Sequence, residues 1–368
     1  MATAAVLTDL DRPLELWDDL EVGAPGPGEV AVRMAASGVC HSDLSMQDGT
    51  LPIPLPAVLG HEGAGVVRRV GDGVSDLAPG DHVVVSWVPQ CGHCYFCLRG
   101  QPQLCTDADT VLITGGLLDG TPRLSGRGRP VHQMCGCGTF SEESIVAATA
   151  AVKVPTDLDL TKAALLSCGV LTGVGAAINT AQIEPGDTVA VVGCGGVGLN
   201  VIQGARIAGA GAILAIDVNE PKLELARHLG ATATVNASKV DPVAAVRDMS
   251  GERGADVAFE AIGLGPTIAQ TIEMTRRGGQ AILVGLPRME VMLTLPAMMT
   301  VILQERTIKG CWYGSADIRR DIPRLVELYR HGTLKLDELV ARTIGLDEVN
   351  QAFTAMRAGE AGRSVIVY

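Results

Sequence analysis

The stretch Val189–Gly198, VAVVGCGGVG, decides the fold. It joins a short buried strand, Thr188–Val192, to a helix that begins at Val197 and runs to Ala208. Between them, Gly193, Gly195 and Gly198 stand as GxGxxG. In that context the first glycine permits the tight turn, the second lets backbone N–H groups approach a pyrophosphate, and the third packs helix on strand. Working outward, Ala212–Asp217 reads as the next strand, Pro221–Leu229 as the next helix, and Val257–Ala261 and Gln280–Val284 as further buried strands. This alternation predicts an α/β unit built on a doubly wound parallel sheet. Asp217 closes the second strand, where a carboxylate bonds both ribose hydroxyls of an adenosine and repels a 2′-phosphate. Val218 and Asn219 follow it rather than an arginine, so the pattern favours NAD over NADP. The alternative is a glycine-rich turn that binds nothing.

The rest of the chain has a different texture. Up to about residue 155 it is rich in Gly and Pro with short β-branched runs such as Val83–Val85, which predicts an irregular, mostly β unit. After about residue 311 the alternation is lost, and the chain ends in a helix over Ile318–Arg330 and a strand-like tail, Ser364–Tyr368. At 368 residues, two domains are expected. A net charge of -12 argues against a general nucleic-acid or anionic-membrane surface. No basic segment followed by an apolar one opens the chain, and no stretch of membrane-spanning length is free of charge or Gly/Pro.

The ten cysteines divide the chemistry. Cys91, Cys94, Cys97 and Cys105 fall at CxxCxxCx7C spacing in a glycine-containing loop, 91–105, and this spacing reads as a closed tetrathiolate zinc cage rather than a set of unliganded core cysteines. Thiols arranged for metal rather than for bridges fit a reducing cytoplasm. A second set is dispersed: Cys40 in SGVCHSD, His61 and Glu62 in LGHEGAG, and Cys168 in LLSCGVLTG. Cys, His and Cys with a fourth position open suit a catalytic zinc, which needs an exchangeable site. Taken singly, His61 is equally a satisfied core histidine and Cys168 a small buried hydrophobe.

In their order, CHSD, GHEGAG, the cysteine loop, SCGVLTG and GCGGVG resemble the zinc-containing alcohol dehydrogenases of the medium-chain dehydrogenase/reductase superfamily, over essentially the whole chain. GVGAAINT, CWYGS and DIPRLVELY are most similar to actinobacterial members, among which are the mycothiol-dependent formaldehyde dehydrogenases. The resemblance implies a GroES-like catalytic domain, 1–169 and 312–368, interrupted by a Rossmann domain, 170–311. It implies two zincs per chain: one catalytic on Cys40, His61 and Cys168, with Glu62 beside it, and one structural on the four-cysteine loop. Asp43 would hold the far ring nitrogen of His61, and Ser42 would bond the alcohol and take its proton. His41 and Arg363 would contact the cofactor pyrophosphate, and Lys222 would lie beside the adenosine ribose. Thr172, Val197 and Val284 would surround the nicotinamide, with Gly196 and Ile262 as further cofactor contacts. Asp43 and Glu62 as plain surface carboxylates, and Lys222 as a solvated lysine, are the bland alternatives.

The implied reaction is reversible hydride transfer between a primary, apolar alcohol and NAD. Trp87 and Trp312 match positions lining the substrate cleft, although either also suits plain core. Two departures qualify the resemblance. Ser45 stands where many relatives continue the proton relay with a histidine, and Leu51 stands where glutathione-dependent formaldehyde dehydrogenases tend to carry an acid. A formaldehyde dehydrogenase acting on a thiol adduct, S-(hydroxymethyl)mycothiol, is the second reading, and a non-catalytic nucleotide-binding protein of the same fold is the third. The glycine-rich stretch Thr106–Phe140 resembles the insertion of dimeric members, which implies a homodimer formed by edge pairing of the Rossmann sheets.

Overall fold

A computed structural model describes residues 1–368. Its six-stranded sheet runs in the order Ala233–Asn236, Ala212–Asp217, Thr188–Val192, Ala255–Glu260, Thr275–Leu283, Thr307–Gly310. Every neighbouring pair is parallel. The chain therefore starts in the middle, winds out to one edge, returns and winds out to the other. The reversal lies between Thr188–Val192 and Ala255–Glu260, so a crevice opens beyond the carboxyl ends of these two strands. Thr188–Val192 is buried along nearly its whole length, as its unbroken apolar run requires of a strand covered on both faces.

Local signals fix the helices. The helix after the glycine turn spans Gly196–Ala208 and stops at Gly209, whose φ of 88° is open to glycine at little cost. The next spans Glu220–Leu229, with Pro221 in its first turn and the Asn219 side chain accepting from the Lys222 N–H. Ile318–Arg330 begins at Asp317, whose carboxylate accepts from the Arg319 N–H. The four expected strands of this sheet are present and differ only at their ends, while its two edge strands, Ala233–Asn236 and Thr307–Gly310, are not among those expected. Thr275–Leu283 begins five residues before the expected strand Gln280–Val284, through polar Arg276 and Arg277, because pairing with the strand Ala255–Glu260 already starts at Thr275.

The remaining chain forms two β structures. A closed barrel is made by Ala2–Leu7, Glu15–Val22, Leu124–Gly126, Arg129–Gln133 and Ala57–Val58. A second sheet runs Ala151–Val154, His82–Val85, Glu62–Val70, Glu29–Gly38, Arg363–Val367, Val340–Ile344, with Glu143–Ala147 also paired to Glu29–Gly38. One apolar cluster, from Val6 and Trp17 through Val85 and Leu166 to Val191 and Ile202, is continuous across the β unit and one face of the parallel sheet. That continuity fixes how the two units meet. No single helix is long and apolar enough to cross a membrane.

Candidate functional site

Strand register builds the first cluster. Glu29–Gly38 pairs antiparallel with Glu62–Val70 such that Gly38 faces Glu62, which brings Cys40, two residues past one strand, next to His61, one residue before the other. A side chain at Gly38 would overlap the Glu62 carboxylate, so glycine here is required by close approach. Cys40 caps the helix His41–Gln47, and Asp43 in its first turn accepts from the Cys40 N–H at 2.7 Å. The other oxygen of Asp43 accepts from His61 Nδ1–H at 2.9 Å. Asp43 is fully buried, so one carboxylate fixes both the helix entry and the imidazole, and leaves Nε2 as the ring's free lone pair.

Cys168 arrives from the other side, at the start of the helix Gly169–Gly175. Its predecessor Ser167 donates to the carbonyls of His61 and Val85, and Tyr313 donates to the carbonyl of Ser167. These bonds tie the Cys168 backbone to the His61 strand. The ligand atoms of Cys40, His61, Glu62 and Cys168 consequently lie within 4.8 Å of one another, all buried. His61 Nε2 is buried without any hydrogen-bond partner. An orphaned imidazole lone pair aimed among two thiols and a carboxylate is costly unless a cation takes it, and this donor set suits zinc. The residues fit the metal.

Glu62 has further company. Its oxygens accept from Arg363 and, at 3.3 Å, from the Gly169 N–H. Burial pushes the Glu62 carboxyl up to about 7, against the opposing pull of the Arg363 charge. Ser42 lies half-buried in the first turn after Cys40, its hydroxyl 3.9 Å from Cys40 Sγ. His41 is exposed and Ser45 half-buried on the same helix.

The four-cysteine loop closes as its spacing predicts. All four sulfurs lie within 4.8 Å, with Cys91–Cys97 at 4.0 Å and Cys94–Cys105 at 3.9 Å. Backbone N–H groups of Cys91, His93 and Cys94 point at sulfurs, an arrangement that fits metal-bound thiolates. The N–H groups of Cys97 and Thr106 hold the Cys94 thiol down at about 6.

In the crevice, Gly193 has a φ of 97°, and a Cβ there would strike Ile262 at 2.5 Å. Gly198 has no room for a side chain against the Gly193 carbonyl. Gly195, by contrast, faces open space, at the amino end of a 13-residue helix. Free N–H groups and a positive helix end above an open glycine suit a phosphate-bearing cofactor. Asp217 accepts from the N–H groups of Cys194 at 2.8 Å and Asn219 at 3.0 Å, which aims its carboxylate at the same mouth. Lys222 is half-buried in the next helix's first turn.

Thr172 and Val197 sit on the two helices whose backbones meet at Gly173. Val284 donates its N–H to the Glu260 carbonyl, and Cys311, just before Trp312, donates to that of Leu283. Ile262, Val284 and Trp312 therefore follow the carboxyl ends of three neighbouring strands. Trp312 packs edge-on to Trp87, ring centroids 5.0 Å apart, and Tyr313 lies 4.4 Å from Trp87 on another side. Leu51 is half-buried against the main core.

Sequence reasoning missed several supporting groups. Glu260 is completely buried and accepts from the N–H groups of Ile262 and Gly263 and from the Thr267 hydroxyl, so it shapes the turn facing Gly193. An acid inside the otherwise apolar FEAIG was the available signal. Ser167 and Tyr313 carry no such signal, and the pairing of Glu62 with Arg363 spans 301 residues.

Comparison with known proteins gives the same picture. Residues 26–156 match the model of the alcohol dehydrogenase GroES-like domain, and residues 196–330 that of the zinc-binding dehydrogenases. The chain is 40% identical over 369 residues to S-(hydroxymethyl)glutathione dehydrogenase of Escherichia coli, covering 99% of each. An alcohol dehydrogenase zinc-binding domain protein from Burkholderia ambifaria superposes with a TM-score of 0.94 at 36% identity, over 100% of this chain and 98% of that one. Benzyl alcohol dehydrogenase from Acinetobacter calcoaceticus does so with 0.93 at 33%, over 100% and 99%.

Proposed function

Because the chain belongs to the zinc-containing alcohol dehydrogenases of the medium-chain dehydrogenase/reductase superfamily, we propose that it transfers hydride reversibly between a primary, apolar alcohol and NAD. The observation that carries this reading is the convergence of Cys40, His61, Glu62 and Cys168 around an unpartnered imidazole nitrogen. In it, Cys40, His61 and Cys168 hold a catalytic zinc, and Cys91, Cys94, Cys97 and Cys105 a structural one. A zinc bound at the first site would supply Lewis acidity, making an alcohol hydroxyl acidic enough to ionise near neutral pH.

The chain's own residues do the rest. Asp43 keeps His61 in the tautomer that presents Nε2. Ser42 takes the alcohol proton and hands it on. Ser45, one turn further, has no basicity at pH 7, so the proton leaves to solvent rather than to a fixed base. The backbone at Gly195 and Gly196 receives the cofactor diphosphate with His41 and Arg363, while Asp217 bonds the adenosine ribose and disfavours a 2′-phosphate. Lys222 flanks that ribose. Thr172, Val197, Ile262 and Val284 confine the nicotinamide within residues 170–311, and Trp87 and Trp312 present an apolar wall that excludes charged alcohols.

The outermost strand, Thr307–Gly310, has a free edge, and Ile302 and Leu303, just before it in the chain, are 66% and 48% exposed. An open strand beside exposed apolar side chains supports a homodimer through this edge. All ten thiols are free and lie in the two clusters or in the apolar core, which supports work in the reducing cytoplasm.

A second reading is favoured by the E. coli relative: oxidation of a formaldehyde–thiol adduct such as S-(hydroxymethyl)mycothiol. Initial rates of NAD reduction with a panel of primary alcohols, and with formaldehyde plus and minus mycothiol, separate the two. Turnover of aliphatic or aromatic alcohols without thiol is the expected result. Turnover only with formaldehyde and thiol transfers the proposal to the second reading. NADP in place of NAD is expected to give much lower kcat/KM.

A further inference from the structure

At the amino ends of the parallel strands, the opposite end from Gly193, lies a cavity of about 530 Å³ whose lining includes no apolar side chain. Its residues come from the amino ends of three strands and the carboxyl ends of the helices Pro242–Met249 and Gly265–Met274. Five arginines face it against two glutamates, in a chain whose net charge is -12. Two of the five have a carboxylate close by: Arg276 meets Asp256 at 2.5 Å, and Arg247 meets Glu273 at 3.5 Å. Arg253, Arg277 and Arg306 have none within 4.0 Å.

Arg306 is the informative member. Its Nε is buried without a partner, and its terminal nitrogens reach only the carbonyls of Thr300 and Glu273, each at 3.4 Å. Burial and the like charge of Arg247 pull its guanidinium below the ordinary value. Like charges gathered in a concave wall repel one another in the free protein, and a guanidinium donor buried without an acceptor costs free energy. A ligand that removes both penalties is an anion with several acceptor oxygens, which guanidinium forks bind in pairs. The volume lies within the range of small-molecule sites, while the absence of apolar lining excludes a hydrophobic ligand.

We propose that this cavity binds a multiply charged oxyanion of the diphosphate class, either free pyrophosphate or the diphosphate arm of a small nucleotide. None of its lining residues belongs to either cysteine cluster or to the glycine turn, so it is a different site from the proposed reaction centre.

The test is calorimetric titration of the zinc-loaded, NAD-saturated protein with pyrophosphate and, in a parallel arm, uridine diphosphate. Saturating NAD blocks the diphosphate position at Gly195. The Arg253→Ala/Arg277→Ala double variant removes two exposed arginines and is expected to keep its NAD affinity, which serves as the control for folding. Saturable binding near one equivalent per chain, weakened at least fivefold in the double variant, is the expected result. Equal affinity in the two arms assigns the site to the free anion, and tighter uridine diphosphate assigns it to a nucleotide. No saturable binding in either arm, or a smaller loss in the variant, overturns the proposal.

Discussion

Replacing Asp43 by Asn isolates the support of the metal site from its ligands. The carboxylate spends one oxygen on the Cys40 N–H and the other on His61 Nδ1–H, and no solvent reaches it. Asparagine keeps the shape but offers one acceptor, so its NH2 must face one of the two donors. One charge-assisted bond is lost and one buried donor is orphaned, a penalty of about 1.5–3 kcal/mol. If the amide oxygen keeps the Cys40 contact, the NH2 faces Nδ1, which must then accept, so the imidazole switches tautomer and presents a protonated Nε2 to the metal. Loss of such a partner weakens metal affinity by about 10–100-fold. The assay is zinc retention against a graded chelator series, read as zinc per chain. The cage at Cys91–Cys105 does not touch Asp43 and is the internal standard. About one zinc is expected to be held as in the wild type while the other is released at about 10–100-fold lower chelator strength, with kcat/KM falling in step. Release within twofold of the wild type would refute the reasoning.

Other substitutions probe other parts of the account. Cys97→Ser opens the tetrathiolate cage and is expected to remove about one zinc and lower the melting midpoint, leaving KM for the alcohol unchanged in the surviving fold. Glu62→Gln leaves the Arg363 guanidinium, 11% exposed, without its carboxylate, which is expected to cost about 3–5 kcal/mol in chemical denaturation; a cost below about 1 kcal/mol would show that the pair is not a buried one energetically. A hydrogen bond from Arg123 holds Asp119 down at about 2, against an ordinary 3.8. A depressed carboxyl stabilises the fold above its unfolded value, so the difference between wild type and Asp119→Asn is expected to be present above about pH 4 and to vanish by about pH 2. Because Asp119 is 53% exposed, the difference stays under about 1 kcal/mol.

The parts legible in the sequence were those whose cause is local. The glycine turn follows from φ and close approach at Gly193 and Gly198, and the cage from cysteines two residues apart. Convergence of Cys40, His61 and Cys168 depends on the Gly38–Glu62 register and on bonds from Ser167, and neither leaves a mark in composition; there the family resemblance supplied what spacing did not. Two strands of the parallel sheet, Ala233–Asn236 and Thr307–Gly310, went unread because they are four residues long, lie at its edges and are mostly unburied. The arginine cavity was invisible for the opposite reason. Its members are scattered from Arg247 to Arg306 and meet only when three strand starts align.

In the proposed function, Cys40, His61 and Cys168 form a metal-dependent reaction centre working on NAD. Zinc content, NAD affinity and alcohol-driven NAD reduction, measured together on wild type and Cys40→Ala, test it most directly. About two zincs and steady turnover are expected for the wild type. For the variant, about one zinc, unchanged NAD affinity and no turnover are expected. Turnover surviving in Cys40→Ala, or a wild type that binds only the cage zinc while fully active, would contradict it.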